Sequence, residues 1–304
     1  MFVVSKIIYK KFGECILISD NQIDMIVTTN VGPRIIFFGK HKGMNFLFED
    51  LNDNFHMDDK KFQDMFGKNQ IWHCYGGHRL WVSPENYYTY APDNKKVKVD
   101  IGKNTVIFTS EIEPLRKLQK QIKIMFKNKQ VYVEHVIKNC DNKVISLAPW
   151  ALTSMVPKGI AFFKMNDKDT GFLPNKKIIT WPYTNLSDPR LFIGKKYIAL
   201  KADENNKQPF KLGLDYQYGK SVYLLDGVKF TIQCQYDNEG IYPDYGCSLE
   251  TYTNNYFLEI ETLGKVQSIK PKQSLRHTEI WSITQNVRKP KVINDQTIEQ
   301  IFNQ

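Results

Sequence analysis

Apolar and polar residues alternate along much of the chain. In residues 228–235, Val228, Phe230, Ile232 and Cys234 fall on one side and Lys229, Thr231, Gln233 and Gln235 on the other. A period of two is that of a strand with one face in a core, so this segment predicts a half-buried antiparallel strand. Residues 14–19 and 23–29 flank the turn pair Asp20-Asn21 and predict a hairpin. Similar runs lie near 2–9, 34–38, 104–111, 119–126, 131–138, 143–148, 221–225, 247–253, 256–261 and 275–284. Helical spacing is sparse. Phe62, Met65 and Phe66 follow Asp58-Asp59, and Ile298, Ile301 and Phe302 follow Asn294-Asp295, which predicts two short capped helices. Many short strands between Gly, Pro, Asn and Asp turns predict an all-β, antiparallel sandwich or barrel with few short helices. No linker and no internal repeat divides the chain, so residues 1–304 are expected to form a single domain. Residues 50–100 carry no clear period, and so long an irregular stretch points to a site-forming region or an insertion.

Composition narrows the function classes. The 304 residues are 42% hydrophobic and 24% charged, ordinary for a globular protein and ample for a core. Lys and Arg outnumber Asp and Glu, 42 to 32, for a net charge of +10. The lysines are spread out. In residues 115–130 they alternate with Ile and Phe, so Lys120 and Lys123 do not share a face. No RRM, KH or zinc-finger signature accompanies them, and no nucleic-acid partner is expected. Glycine-rich phosphate loops and dinucleotide fingerprints are absent, and no cofactor is expected. No window approaches the roughly eighteen apolar residues of a membrane span, and the start of the chain is too interrupted for a secretory signal. The five cysteines, odd in number and scattered, form neither a disulfide framework nor a zinc pattern, which fits a reducing cytoplasm.

Candidate chemistry clusters toward the C-terminus. Strand alternation places Glu250 with Tyr252, and Glu259 with Glu261, leaving Leu258 and Ile260 for the core. His277, Glu279 and Trp281 share a face that also carries Leu275 and Ile283. If these strands are neighbours, one surface collects carboxylates, an imidazole and aromatic rings. That mixture suits carbohydrate chemistry, because hydroxyls need polar partners, C–H faces pack on rings, and acid–base work needs groups that titrate near neutrality. The plain alternative is a polar face washed by water, but Tyr252 and Trp281 on those faces favour a ligand.

A second cluster, residues 71–88, surrounds Gly76-Gly77 with Trp72, His73, His78, Arg79, Trp81, Glu85, Tyr87 and Tyr88. The glycines permit positive φ or close backbone approach, and Arg79 can clamp a carboxylate, a phosphate or vicinal hydroxyls. A structural turn is the alternative. No HExxH and no paired Cys-x-x-Cys accompanies His73 and His78, so no metal is expected. His135, between Val133 and Ile137, reads as a core histidine. The segment 173–190, with Trp181-Pro182-Tyr183 and Asp188-Pro189-Arg190, reads as an ordered loop over a sheet edge, with Asp188 and Arg190 pairing.

Taken in order, several segments resemble the galactose mutarotase-like superfamily, which includes the aldose 1-epimerases. TTNVGPRIIFFG (28–39) resembles its early Gly-x-Arg-Ile strand, and LETYTNN (249–255) its Leu-Gln-x-Tyr-Thr-x-Asn strand. EIETLGKV (259–266) resembles the strand of its catalytic glutamate, and IKPKQSLRHTEIW (269–281) its closing turn and strand. The chain is closest to a branch bearing GG-x-RLW-x-x-PE, WPYT-x-x-x-DPR and E-x-E-TLG. The resemblance implies a β-supersandwich with a sugar-binding face, and cofactor-free chemistry in which a glutamate takes the anomeric hydroxyl proton while a histidine protonates the ring oxygen. Carried over, Glu261 is the base, with Glu259 its off-by-two alternative, and Arg79 and Trp81 line the site. Two departures stand out. Tyr75 occupies the histidine position before Gly-Gly, and Trp150 lies in the strand that carries the second family histidine. The general acid then falls to His78, His277 or His73. The expected site is catalytic Glu261, His78 and His277, with Arg79, Trp81, His73, Glu250, Tyr252, Glu259, Trp150 and Trp281 binding a carbohydrate. Glu259 and Glu261 should point into one open groove, within a sugar's width of Arg79. A noncatalytic carbohydrate-binding or regulatory module that keeps the groove is the alternative, and a lyase- or hydrolase-like use of the same carboxylates a third.

Overall fold

In the computed structural model, which describes residues 2–304, apolar alternation resolves into two large antiparallel sheets packed face to face, one of eleven strands and one of ten. The hairpin Glu14–Ser19 and Ile23–Thr28 forms as its turn chemistry dictates: Asp20 Oδ1 accepts the backbone N–H groups of Gln22 (3.0 Å) and Ile23 (2.8 Å). Inward-facing residues of both sheets build one core. Phe38 and Leu258 from the larger sheet meet Phe230 and Trp281 from the smaller, with Phe38 4.6 Å from Phe230 and 4.9 Å from Trp281 between ring centres. Leu258 and Ile260 are buried there, as alternation predicts.

The helices Lys60–Phe66 and Asp295–Asn303 are those the spacing predicts. Asp59 caps the first, and Asn294 with Thr297 makes a reciprocal box at the second. The second helix corrects one expectation. Val228–Cys234 is not half-buried, because Lys229 and Thr231 on its outer face are buried as well. Ile298, Ile301 and Phe302 pack over this sheet with Phe162, Val222 and Leu224. Lys220 Nζ donates to the Phe302 carbonyl (2.8 Å) and Lys229 Nζ to that of Ile301 (3.1 Å), satisfying carbonyls that a helix end leaves free.

Several strands carry no alternation to announce them. Ile145–Met155 is longer than residues 143–148 and buried on both faces over most of its length, so it reads as a continuous apolar run. His78–Ser83 forms inside the irregular stretch 50–100, beyond glycines at φ 81° and 70°. A Cβ on Gly77 would come 2.3 Å from the Ile35 carbonyl oxygen. The larger sheet then runs, through its centre, in the order His78–Ser83, Ile145–Met155, Leu258–Leu263, Leu249–Thr253, Phe210–Leu214. Among the described residues no helix is long and apolar enough to cross a membrane.

Candidate functional site

Register across these five strands lines up the outer face of the larger sheet in rows. Arg79 stands opposite Leu152, Leu152 opposite Glu261, Glu261 opposite Glu250, and Glu250 opposite Gly213. One row along lie Ser154, Glu259, Tyr252 and Lys211. On the other side Trp81 faces Trp150, and Trp150 faces Leu263. Period-two geometry alone brings these side chains together, because every alternate residue of each strand is committed to the core.

Two ionic groups result. Lys211 Nζ lies 2.7 Å from Glu250 Oε2 and 3.1 Å from Glu261 Oε2, and the same Glu261 oxygen accepts Trp150 Nε1–H at 2.9 Å. The ammonium sits 4.8 Å from the rings of both Trp150 and Trp181. Beside it, the Arg79 guanidinium stacks 4.6 Å over Trp81, with Nη2 3.6 Å from Glu259 Oε1, which accepts Ser154 Oγ–H at 2.7 Å. Within these two groups three buried polar atoms have no hydrogen-bond partner: Oε1 of Glu250, Oε1 of Glu261 and Nε of Arg79. Burial pushes Glu261 up to about 7, against the pull of Lys211 and with a further push from Glu259. Burial likewise raises Glu250, again opposed by Lys211. For Lys211 burial works the other way, but Glu261 and Glu250 overcome it and hold the ammonium charged. A carboxylate titrating near neutrality beside indole faces and convergent donors can perform proton transfer on a polyhydroxylated ligand.

The site is closed, where the sequence leads one to expect an open groove. Glu261 is 0% exposed and Glu259 6%. The turn Trp181–Thr184 docks on Phe210–Leu214, its Thr184 Oγ1–H donating to the Lys211 carbonyl. Trp181 lies against Gly213, where a Cβ would come 3.2 Å from the indole and 2.4 Å from Cys247 Sγ, so only glycine fits. Asp188 and Arg190 pair, as expected, through Nε (3.0 Å) and Nη2 (2.8 Å), and Nη2 also donates to the Gln208 carbonyl at 2.7 Å.

Of the residues singled out in the sequence, Arg79, Trp81, Trp150, Glu250, Tyr252, Glu259 and Glu261 share this face. His78, His277 and Trp281 do not. His78 alternates with Arg79 and therefore points into the core. Its Nε2 lies 2.7 Å from His135 Nε2 and its Nδ1 2.9 Å from Thr153 Oγ1. His135 donates Nδ1–H to the His277 carbonyl (3.0 Å), so its Nε2 accepts from His78, and His78 Nδ1 accepts from Thr153. His277 Nε2 is 2.7 Å from Thr262 Oγ1, which donates to Glu279; Glu279 also accepts Trp281 Nε1–H at 2.8 Å. His78, His135 and Glu279 hold potential ligand atoms within 4.8 Å of one another, yet hydrogen bonds occupy the ring lone pairs of both histidines. Burial pulls His78 well down, and lowers His135 to about 3 and His277 to about 4. Neutral and facing the core, His78 and His277 are not placed to protonate a ligand on the Glu261 face. His135 is the core histidine its setting predicts. His73 sits apart, its Nδ1 2.7 Å from Asp53 Oδ1 and its ring beside Tyr75. Lys211 and its strand went unseen in the sequence. The signal was Phe210, Leu212 and Leu214 at alternate positions, which turns Lys211 to the outer face.

Comparison with solved structures places this architecture. A galactose mutarotase-like protein from Lactobacillus casei superposes with a TM-score of 0.57 at 11% identity, covering 89% of this chain and 100% of that one. The chain has the galactose mutarotase-like fold. A second galactose mutarotase-like protein, from Clostridium acetobutylicum, gives 0.55 at 11% identity, over 93% of this chain and 99% of that one. An Escherichia coli protein provisionally designated an aldose 1-epimerase gives 0.54 at 7% identity, over 94% of this chain and 100% of that one. No family model and no curated protein matches the sequence. At such identities the likeness is one of fold, and the chemistry of this chain rests on its own residues.

Proposed function

We propose that this is a carbohydrate-active protein of the aldose 1-epimerase type, acting at the anomeric centre of a sugar or sugar derivative with Glu261 as the base. The observation that carries the reading is the state of the Glu261 carboxylate: one oxygen is fixed by Trp150 and Lys211, while the other is buried without a partner. A fixed carboxylate with one free oxygen is what removal of an anomeric proton needs. Trp150 and Trp81 offer faces for sugar C–H groups, and Arg79, Glu259 and Tyr252 offer partners for hydroxyls. Loss of the anomeric proton together with proton delivery to the ring oxygen opens the ring, the C1–C2 bond rotates, and reclosure by the reverse transfers gives the other anomer, with no cofactor in the balance. Because Glu261 is fully buried, this reading requires the Trp181–Thr184 turn to lift from Lys211 to admit a ligand. The five free thiols suit a cytoplasmic setting.

One observation favours a second reading, a noncatalytic sugar-binding module: neither His78 nor His277 stands on this face. Exchange spectroscopy by NMR over a panel of free sugars and uronic acids separates the two. The wild type should interconvert the anomers of at least one sugar, and Glu261→Gln should lower that rate by ~10²–10⁴-fold. Sugar binding without exchange would select the module.

A further inference from the structure

We propose that Glu250 is the general acid of this site, kept protonated by burial beside ionised Glu261, with which it shares the single ammonium of Lys211. This rests on the anomeric-centre reading and supplies the group that the buried histidines do not.

Glu250 and Glu261 are directly opposed cross-strand neighbours, a relation that sets Cβ atoms roughly 5 Å apart. One ammonium bridges both, so the group Glu250, Lys211 and Glu261 carries two carboxyls for one positive charge. In a desolvated site two adjacent carboxylates do not both ionise against a single cation, and one proton stays. Hydrogen bonding decides where. Glu261 Oε2 accepts from Trp150 Nε1 and Lys211 Nζ, whereas Glu250 accepts from Lys211 alone. The negative charge is better held at Glu261, and the proton belongs on Glu250. The other charged groups press on both carboxyls, Asp244 on Glu250 and Glu259 with Glu85 on Glu261, where Arg79 beyond them opposes the push, so the unequal donors make the difference. Burial, opposed by Lys211 and helped by Glu261, pushes Glu250 up to about 8.

The arrangement suits the reaction. The anomeric hydroxyl and the ring oxygen share one carbon, so acid and base can stand side by side. Glu261 Oε1 takes the O1 proton, the O1 electrons form the carbonyl, the C1–O5 bond breaks, and O5 receives the proton of Glu250. The products are the open-chain aldehyde, neutral Glu261 and ionised Glu250. The net charge around Lys211 is the same before and after, so no buried charge is created, and reclosure runs the same transfers backwards. Glu250 also stands where the related strand motif has glutamine, in a chain whose two family histidine positions are Tyr75 and Trp150.

The test compares pH–rate profiles of anomer exchange in wild type, Glu250→Gln and Glu261→Gln, with carboxyl titrations of the ¹³C-glutamate-labelled proteins. In wild type the Glu250 carboxyl, assigned by its loss in Glu250→Gln, should titrate above that of Glu261. Glu250→Gln should lower exchange by ~10²–10⁴-fold and remove the alkaline limb, while the acid limb stays near its wild-type pH, because Glu250 is already neutral where Glu261 titrates. Exchange with rate and alkaline limb intact in Glu250→Gln overturns this proposal and leaves Glu261 as base. A Glu261 carboxyl that titrates above Glu250 overturns it even if the variant folds poorly. No exchange by wild type on any sugar overturns the anomeric-centre reading, and this proposal with it.

Discussion

Glu261 is governed by the two donors on its Oε2. Trp150 Nε1–H is the one without a net charge of its own, and it stabilises the ionised form more than the neutral one. Trp150→Phe keeps a ring at the site but removes that donor. A hydrogen bond to a charged group is worth about 1.5–3 kcal/mol, and one pKa unit about 1.4 kcal/mol. The Glu261 carboxyl should therefore titrate at least about one pH unit higher in the variant. A ¹³C titration checks this, and an unmoved midpoint would mean that Lys211 alone sets the charge. At the same scale, alternation showed which glutamates and aromatics share a face, and the same rule marks where residue reading failed. His78 adjoins Arg79 in sequence, which in a strand guarantees opposite faces. His277 shares its face with Leu275 and Ile283, the sign of a core face. Both histidines belong to a hydrogen-bonded core network that chemical type alone could not distinguish from a catalytic one.

Among the elements, the covering loop is what closes the candidate site. Its anchor is the Asp188–Arg190 pair, both residues buried, with Arg190 reaching on to the Gln208 carbonyl. Removing the carboxylate leaves a guanidinium buried without its counter-charge, so Asp188→Ala should cost ~3–5 kcal/mol. Urea unfolding measures this; a loss below about 1 kcal/mol, the scale of an exposed pair, would mean that the loop is not anchored there. Strands with one face toward water, such as Glu14–Ser19, were legible because polarity alternates along them. Strands covered on both sides were not. His78–Ser83 lies between the core and the covering segments, with all its residues buried, so the strand that carries Arg79 and Trp81 reads as an irregular stretch. Phe210–Leu214 is hidden in the same way by Trp181. The elements that build the site were the hardest to see because the site is enclosed.

At the scale of the whole molecule, enclosure places unusual titrations in the core and the site, and these set how stability depends on pH. Glu250, Glu261 and Glu279 are raised, chiefly by burial, to about 8, 7 and 7. Between their unfolded values near 4.5 and these folded values, the native state binds more protons than the unfolded chain, so their contribution falls as pH rises. His78, His135 and His277 act oppositely. Lowered by burial, they are neutral when folded, while the unfolded imidazoles protonate below about 6.5. Their contribution is full above that pH and is lost as pH falls toward 4 and 3. From about 4.5 to 6.5 the two sets offset each other and stability should be flat. Below that range the imidazoles dominate and stability drops. From about 6.5 to 8 only the carboxylates still titrate, so stability should fall there, at a pH where most proteins change little. Calorimetric melting temperatures across pH 4 to 9 test this. The alkaline decline should shrink in Glu279→Gln, which removes one raised carboxyl without touching the site. A melting temperature that stays constant or rises from pH 6.5 to 8.5 would show that the buried carboxyls are already ionised at neutrality, and would remove the physical basis for a protonated acid beside Glu261.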